Sequence, residues 1–113
     1  MSRDEVYLLD ILDAARLAME YLRGKTREQF LEDVQAQDAV IRRLAVMGEA
    51  ARRVSEARRR SLPQLPWREI VGIRNLVVHE YDDVDVGVVW DTVSRDLPAL
   101  VAALEELLPP PSP

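Results

Sequence analysis

Apolar residues along the first part of the chain repeat at intervals of three and four. They are Leu8, Ile11, Leu12, Ala15, Ala18, Met19 and Leu22. This spacing lines one face of an α-helix, so the sequence predicts a first helix from about Asp4 to Leu22. Ser2 and Glu5 have the spacing of a capping box at its start, and Gly24 follows its end as a typical stop signal.

The next segment repeats the capping-box spacing at Thr26 and Gln29, which predicts a short second helix. Three apolar side chains of this segment are expected to point toward the core: Phe30, Leu31 and Val34. A third periodic pattern then predicts a long helix from about Gln37 to Arg58. Its inward positions are Val40, Ile41, Leu44, Met47, Gly48, Ala51 and Val54. Gly48 in mid-helix suggests the close approach of another backbone.

Proline positions organise the second half of the chain. Pro66 suits the first turn of a helix, which predicts a helix from Trp67 to about Val78. Asp85 is a candidate N-cap for a final helix, and Pro98 predicts a kink or break in that helix near Asp96 to Leu97. The apolar positions of the final helix are Val86, Val89, Trp90, Val93, Leu97, Leu100, Val101, Leu104 and Leu108.

No segment shows the two-residue alternation of a β-strand. The predicted class is therefore all-α, an up-down antiparallel bundle of four to five helices. Residues 1–108 are expected to form one domain, followed by a frayed, proline-rich tail at 109–113.

Composition narrows the possible chemistry. The 113 residues include one histidine and no cysteine, which excludes disulfides, thiolate zinc sites and multi-histidine metal sites. Apolar runs are far shorter than the roughly 20 residues that span a bilayer, so we expect a soluble, cytoplasmic protein without membrane contact. The sequence implies no cofactor and no bound metal.

The net charge of −5 hides a strong segregation along the chain. Residues 41–60 carry seven arginines against two glutamates, whereas residues 80–113 carry one arginine against eight carboxylates. The basic block could hold RNA phosphates. The candidate contacts are Arg42, Arg43, Arg52 and Arg53. Alternatively, the same residues form a solvated helix face that pairs with acidic neighbours.

Arg74, His79 and Tyr81 lie within eight residues of one another. An arginine stabilises charge on a phosphate, and the imidazole of His79 can transfer a proton near neutral pH. The pair therefore suits RNA cleavage by the neighbouring 2′-hydroxyl. The structural alternative is that His79 caps a helix end while Arg74 pairs with a carboxylate such as Glu69 or Glu80.

Four carboxylates follow the histidine closely and could be considered as a metal site. They are Glu80, Asp82, Asp83 and Asp85. A calcium loop would need a glutamate where this chain has Ser94, so a solvated acidic loop with a helix cap is the favoured interpretation.

The sequence also resembles a known family. The segment PWREIVGIRNLVVHEYDDVDVGVVWDTVSRDLPAL (66–100) is similar to the C-terminal half of the HepT-type toxins, a branch of the HEPN-domain ribonucleases. Arg74, Asn75, His79 and Tyr81 match the family's motif. The segments YLLDILDAARLAMEYLRG and QDAVIRRLAVMGEAARRVS resemble its first and third helices, so the likeness covers residues 3–108. Leu76 departs from the pattern, since many relatives have a second basic residue there.

This resemblance implies a HEPN-like, homodimeric helical bundle that cleaves RNA without a metal. Arg74 and His79 would be catalytic, and Asn75 and Glu49 would support them or merely hydrogen-bond the bundle. The protein would be the toxin of a toxin–antitoxin pair, neutralised when a minimal nucleotidyltransferase of the MntA-like type transfers AMP to Tyr81. A non-catalytic bundle that docks such a nucleotidyltransferase is the alternative function.

Overall fold

A computed structural model describes residues 1–78 and 84–108, and of residues 74 and 76–78 it describes the backbone alone. The described residues form helices and connections without a strand. The helices are α1 (Arg3–Leu22), α2 (Arg27–Leu31), α3 (Val34–Arg53), α4 (Glu56–Ser61), α5 (Trp67–Val78), α6 (Val86–Asp91) and α7 (Leu97–Leu107). A π-helical turn, Thr92–Asp96, joins α6 to α7. The predicted all-α class is confirmed.

Helix α1 begins and ends where its capping residues predict. The Ser2 hydroxyl accepts a hydrogen bond from the backbone N–H of Glu5 at 3.1 Å. Beyond the other end, Gly24 has φ of +77°, a left-handed conformation that residues with a Cβ rarely adopt. This glycine turns the chain away from α1 and toward α2.

Helix α2 is a single turn that inserts one aromatic ring into the core. Thr26 and Gln29 form the predicted capping box, with bonds of 3.2 and 2.9 Å. The Phe30 side chain is completely buried and its ring lies 5.7 Å from the ring of Trp90. The Gln37 amide donates a 2.9 Å hydrogen bond to the Phe30 carbonyl, which fastens α2 to α3.

The prediction that Leu31 and Val34 also point inward is wrong. Their side chains are 37% and 65% exposed. Asp33 caps a new helix immediately after α2, its carboxylate accepting a 3.0 Å bond from the N–H of Ala36. Because α2 ends after one turn and Val34 is the first residue of α3, neither side chain follows Phe30 into the core.

Helix α3 is also bounded differently from the prediction of Gln37 to Arg58. It starts at Val34 because Asp33 caps it, and it ends at Arg53. Val54 is extended and Ser55 then caps α4, its hydroxyl accepting a 3.1 Å bond from the N–H of Arg58. The arginines at 58–60 therefore lie on a separate helix.

The core lies between four long helical segments. Helices α1 and α3 pack antiparallel, α5 packs antiparallel on α3, and α7 with the π-helical turn packs on α1. The largest fully buried side chains are Phe30, Leu8, Ile11, Leu44, Met47, Leu97, Leu104, Val40, Val54, Val89 and Val93. Each contributes about 1.5–3 kcal/mol of transfer free energy. Within the described ranges, no charged or polar residue is buried with them.

The predicted break near Pro98 takes the form of the π-helical turn. The N–H of Leu97 bonds to the carbonyl of Thr92, five residues earlier. Pro98 has no N–H to donate, and it occupies the first turn of α7, where a proline is tolerated. The chain thus continues in the same direction through Asp96 instead of turning back.

Two further predictions concern membrane contact and the extent of the domain. None of the described helices combines the length and the apolarity that crossing a bilayer requires. The tail at 109–113 lies outside the described residues, and the single domain at 1–108 stays a prediction.

Candidate active site

Helix α5, over Trp67–Val78 as predicted, carries the first part of the candidate site. The indole N–H of Trp67 donates a 3.0 Å hydrogen bond to the carbonyl of Leu62, and Ile70 is 2% exposed. The Ile70 N–H bonds to the Pro66 carbonyl at 3.0 Å, so the proline opens the helix. The start of α5 is therefore firmly seated on the core.

Arg74 and Asn75 lie on the second half of α5. Asn75 is exposed, and Arg74 is described by its backbone alone. His79 and Tyr81 lie outside the described residues, as does Glu80. The structure thus gives the position of Arg74 and Asn75 in the fold, and the pairing of Arg74 with His79 stays a prediction.

Helix α6 is the first described helix after His79 and Tyr81 in the sequence. Asp85 is the predicted N-cap, and its Oδ1 accepts bonds from the N–H groups of Gly87 at 2.9 Å and Val88 at 3.2 Å. A Cβ on Gly87 would lie 2.5 Å from Nη2 of Arg27, so the glycine leaves room for that guanidinium. Nε of Arg27 lies 3.7 Å from the carboxylate of Asp91.

The described part of the structure does not support the metal interpretation. Asp85 acts as a helix cap, and Glu80, Asp82 and Asp83 lie outside the described residues. Over 1–78 and 84–108, no three histidine, aspartate or glutamate side chains come together as a metal would require.

Glu49 brings together two of the predicted phosphate contacts. Its Oε1 lies 2.8 Å from Nη2 of Arg52 and 3.2 Å from Nε of Arg53, one turn further along α3. The hydrogen bond with Glu49 raises the pKa of Arg52. Glu49 is half-buried, so one carboxylate shares its charge between two more exposed arginines.

Arg42 and Arg43 form a second group on the same helix. They lie ten residues before Arg52 and Arg53, a distance of about 15 Å along α3. Arg42 is exposed and shares a helix face with Glu49 and Arg53, since 100° per residue places all three within about 40°. Arg43 lies on the flank of the core, and its Nε is buried without a hydrogen-bond partner among the described residues. The four predicted contacts are therefore two clusters.

Sequence reasoning missed two features near these residues. Arg27 lies against Gly87, far apart in sequence, and no local spacing signals this contact. The second feature is the separate helix α4. Its arginines, Arg58 and its neighbours, belong to the basic block at 41–60 but are not among the predicted site residues. Ser55, a good N-cap residue before Glu56, was the signal that a new helix begins there.

Comparisons with known proteins identify the group to which this bundle belongs. The family model described as "Ribonuclease HepT-like" matches residues 11–107. The chain therefore belongs to the HepT-like ribonuclease family.

Individual relatives agree with this assignment along nearly their whole length. "Probable ribonuclease HepT" from Thermococcus cleftensis is 42% identical over 101 residues, which cover 89% of this chain and 92% of the relative. A protein of Methanocaldococcus jannaschii named as a candidate RNase is 34% identical over 93% of this chain and 98% of its own. Another, from Caldanaerobacter subterraneus, is 31% identical over 96% of both chains. No solved structure matches the chain.

Proposed function

We propose that this protein is an endoribonuclease that cleaves RNA without a metal ion, with Arg74 and His79 as its catalytic pair. The observation that carries the proposal is membership of the HepT-like ribonuclease family over residues 11–107, a range that includes the Arg74-Asn75 and His79-Tyr81 positions. Arg74 lies on a helix whose start is fixed to the core by Trp67 and Ile70.

The reaction requires no group beyond this pair and the RNA itself. The ribose 2′-oxygen attacks the adjacent phosphorus, the bond from phosphorus to the 5′-oxygen breaks, and a 2′,3′-cyclic phosphate and a 5′-hydroxyl result. His79 takes the proton of the attacking 2′-hydroxyl and returns it to the leaving 5′-oxygen. Arg74 stabilises the charge that gathers on the phosphoryl oxygens. Metal independence follows because proton transfer and charge stabilisation both have a protein side chain.

Asn75 and Glu49 are proposed as supporting residues. Asn75 is exposed next to Arg74 on α5, where its amide can bond a substrate or partner oxygen. Glu49 holds the guanidinium groups of Arg52 and Arg53, and Arg42 extends the same face of α3. Arg43 completes the proposed set of phosphate contacts.

A homodimer is part of the proposal. One arginine and one histidine make a sparse site in a chain of 113 residues, and a two-fold axis would bring two such pairs into one cleft. Sedimentation velocity at micromolar concentration is expected to show a dimer. A monomer throughout the concentration series would contradict this part.

The biological role that we propose is that of a toxin with a cognate nucleotidyltransferase as antitoxin. Attack of the Tyr81 hydroxyl on the α-phosphorus of ATP would form a phosphodiester, release the phenol proton and pyrophosphate, and place a phosphate close in sequence to Arg74. That phosphate would compete with the RNA backbone for the arginine. Modification would thereby switch the nuclease off.

The catalytic pair is tested by RNA cleavage in the presence of a chelator. Wild type is expected to release fragments with 2′,3′-cyclic phosphate and 5′-hydroxyl ends, while His79→Ala and Arg74→Ala lose cleavage by about 100-fold or more. Arg23→Ala is the control, because Arg23, the residue that follows α1, is a 78% exposed arginine outside the motif. Equal cleavage by all four proteins would refute the catalytic pair.

The modification is tested by intact mass. Co-expression with a cognate minimal nucleotidyltransferase is expected to add whole AMP units to the mass of this protein, and Tyr81→Phe should abolish the gain. Tyr21→Phe provides the control, since Tyr21 is a partly exposed tyrosine near the end of α1. An unchanged gain in Tyr81→Phe would refute Tyr81 as the acceptor.

The second candidate function is a non-catalytic bundle that docks the nucleotidyltransferase. The exposed Asn75 and the charged face of α3 favour it, because both could serve a protein interface. It predicts tight partner binding that survives His79→Ala, together with no cleavage of RNA by wild type.

A further inference from the structure

We infer that α4 is a second phosphate-binding surface, which holds RNA at a distance from the cleaved bond. The surface, here named the arginine corner, consists of Arg58, Arg59 and Arg60. The inference rests on the proposed ribonuclease function for the identity of the polyanion. It adds a binding surface that is separate from the Arg74 and His79 positions and from the contacts proposed on α3.

The first argument is the fixed geometry of the corner. Helix α3 ends at Arg53, and none of the side chains of α4 is buried. The Asp4 carboxylate on α1 accepts hydrogen bonds from the Ser55 N–H at 2.8 Å and from its hydroxyl at 2.6 Å. The helix that carries the three arginines is therefore tied to the first turn of α1, with Arg60 exposed and Arg58 and Arg59 partly exposed.

The second argument concerns the partners of Arg58 and Arg59. Nη1 of Arg58 donates to the Ser61 hydroxyl at 3.1 Å, and Nε of Arg59 donates to the Val54 carbonyl at 3.1 Å. Both acceptors are neutral oxygens, which orient a guanidinium without cancelling its charge. The charge of Arg58 also helps to lower the pKa of Asp4, but less than the hydrogen bonds that Ser55 donates to the same carboxylate.

Arg60 is the most easily released member of the corner. It lies 3.3 Å from Glu56, but the two side chains are 74% and 80% exposed. An exposed pair of this kind contributes about 0–1 kcal/mol, so a phosphate can replace Glu56 at little cost. Arg52 and Arg53, in contrast, share the half-buried carboxylate of Glu49. The positive charge of α4 is therefore more available to a polyanion than that of Arg52 and Arg53.

The position of the corner sets its role. It adjoins the C-terminal end of α3 and precedes α5, whereas Arg74 lies seven residues, or about 10 Å, along α5 from Trp67. A phosphate at the corner is therefore not the phosphate that is cleaved. Three consecutive arginines fan out over about 200° of a helix, which suits a flexible chain of phosphates better than a single carboxylate.

The test measures RNA affinity in a protein that cannot cleave. All variants carry His79→Ala, and the probe is a labelled single-stranded oligoribonucleotide followed by fluorescence anisotropy from 50 to 300 mM salt, about the range in which phosphate contacts dominate. Arg58→Gln with Arg60→Gln is compared with Arg16→Gln with Arg23→Gln. The control pair also removes two exposed arginines, Arg16 and Arg23, whose acidic partners are Glu105 and Glu20.

We expect the corner variant to bind about five- to tenfold more weakly at low salt, with the slope of log affinity against log salt reduced by about 1.4 for two lost phosphate contacts. The control pair should change affinity less than twofold. Replacing both corner residues by lysine should restore most of the slope, which separates loss of charge from misfolding.

Two results would overturn the inference. The first is an equal effect of the two glutamine pairs, which would indicate net charge alone. The second is unchanged RNA affinity of the corner variant together with lost binding of the nucleotidyltransferase, which would make the corner a protein interface. Failure of the catalytic proposal is distinguishable, because it appears as cleavage of the labelled probe by the His79→Ala protein. The affinity comparison is then made with a 2′-O-methyl probe, which lacks the attacking hydroxyl and cannot be cleaved by this route.

Discussion

The carboxylate of Asp4 accepts both hydrogen bonds that Ser55 can donate. Oδ1 receives the backbone N–H at 2.8 Å and Oδ2 receives the hydroxyl at 2.6 Å. The same hydroxyl accepts the N–H of Arg58 at 3.1 Å, so one serine links the first turn of α1 to the first turn of α4. The side-chain bond from Ser55 is the main cause that lowers the pKa of Asp4.

This link predicts a pH-dependent stability. Because the folded-state pKa of Asp4 lies below its ordinary value, the stabilisation is complete above about pH 4 and is lost as the pH falls through the folded pKa. Asp4→Asn should therefore lower Tm at pH 7, and its difference from wild type should narrow below pH 4. Thermal unfolding by circular dichroism from pH 2 to 7 measures this. Asp10→Asn, an exposed control on α1, should show no such convergence.

Phe30 is expected to be the most sensitive position of the α2 segment. Phe30→Ala removes a fully buried ring and its contact with Trp90, which should cost about 3–5 kcal/mol of unfolding free energy. Leu31→Ala, the next residue on the same turn, should cost less than about 1 kcal/mol because Leu31 is 37% exposed. Urea unfolding of both variants tests the prediction. Similar losses of unfolding free energy would contradict the arrangement in which Phe30 is buried and Leu31 is exposed.

Asp85 should stabilise α6 through its side-chain oxygen alone. Asp85→Ala removes the acceptor for the N–H groups of Gly87 and Val88 and should cost about 1 kcal/mol. Asp85→Asn keeps an acceptor and should lower the free energy of unfolding by only a few tenths of a kcal/mol. The measurement is chemical denaturation of both proteins. Equal losses would mean that the carboxylate's charge, and not the cap, is what matters.

Gly87 and Arg27 should be energetically coupled. Alanine favours a helix over glycine by up to about 1 kcal/mol, but a Cβ at position 87 would lie 2.5 Å from the Arg27 guanidinium and displace it. Gly87→Ala should therefore stabilise the Arg27→Ala protein more than it stabilises wild type. A double-mutant cycle on unfolding free energies is expected to show a coupling of about 0.5–1 kcal/mol. Additive effects would contradict the contact.

Local signals in the sequence predicted several elements well. The bounds of α5, the capping box of Thr26 and Gln29, and the cap at Asp85 all depend on residues within one turn of each other. Long-range contacts were not predictable in this way. The apolar period continues past Arg53, yet α3 ends there, and the hydrogen bonds that fix the new helix come from Asp4, fifty-one residues away.

The candidate site likewise contains contacts that local spacing predicts and contacts that it does not predict. The pairing of Glu49 with Arg52 and Arg53 follows from helical spacing and could be inferred directly. The contact of Arg27 with Gly87 joins distant helices and could not. Arg74, His79 and Tyr81 were found by their spacing and by family resemblance, and their mutual arrangement stays a prediction.

The π-helical turn at Thr92–Asp96 has a consequence for the phase of the last helix. A π-helical turn contains one residue more than an α-helical turn, and an α-helix rotates by about 100° per residue. Buried residues before and after it, Val89 and Leu97 among them, nevertheless belong to one core. The wider turn absorbs the extra residue, so deleting the exposed Ser94 should leave a regular helix with α7 in nearly the same phase. Winding all five residues as regular α-helix would instead rotate α7 by about a quarter turn. The π-helical turn therefore keeps the two halves of one helix aligned on the same core.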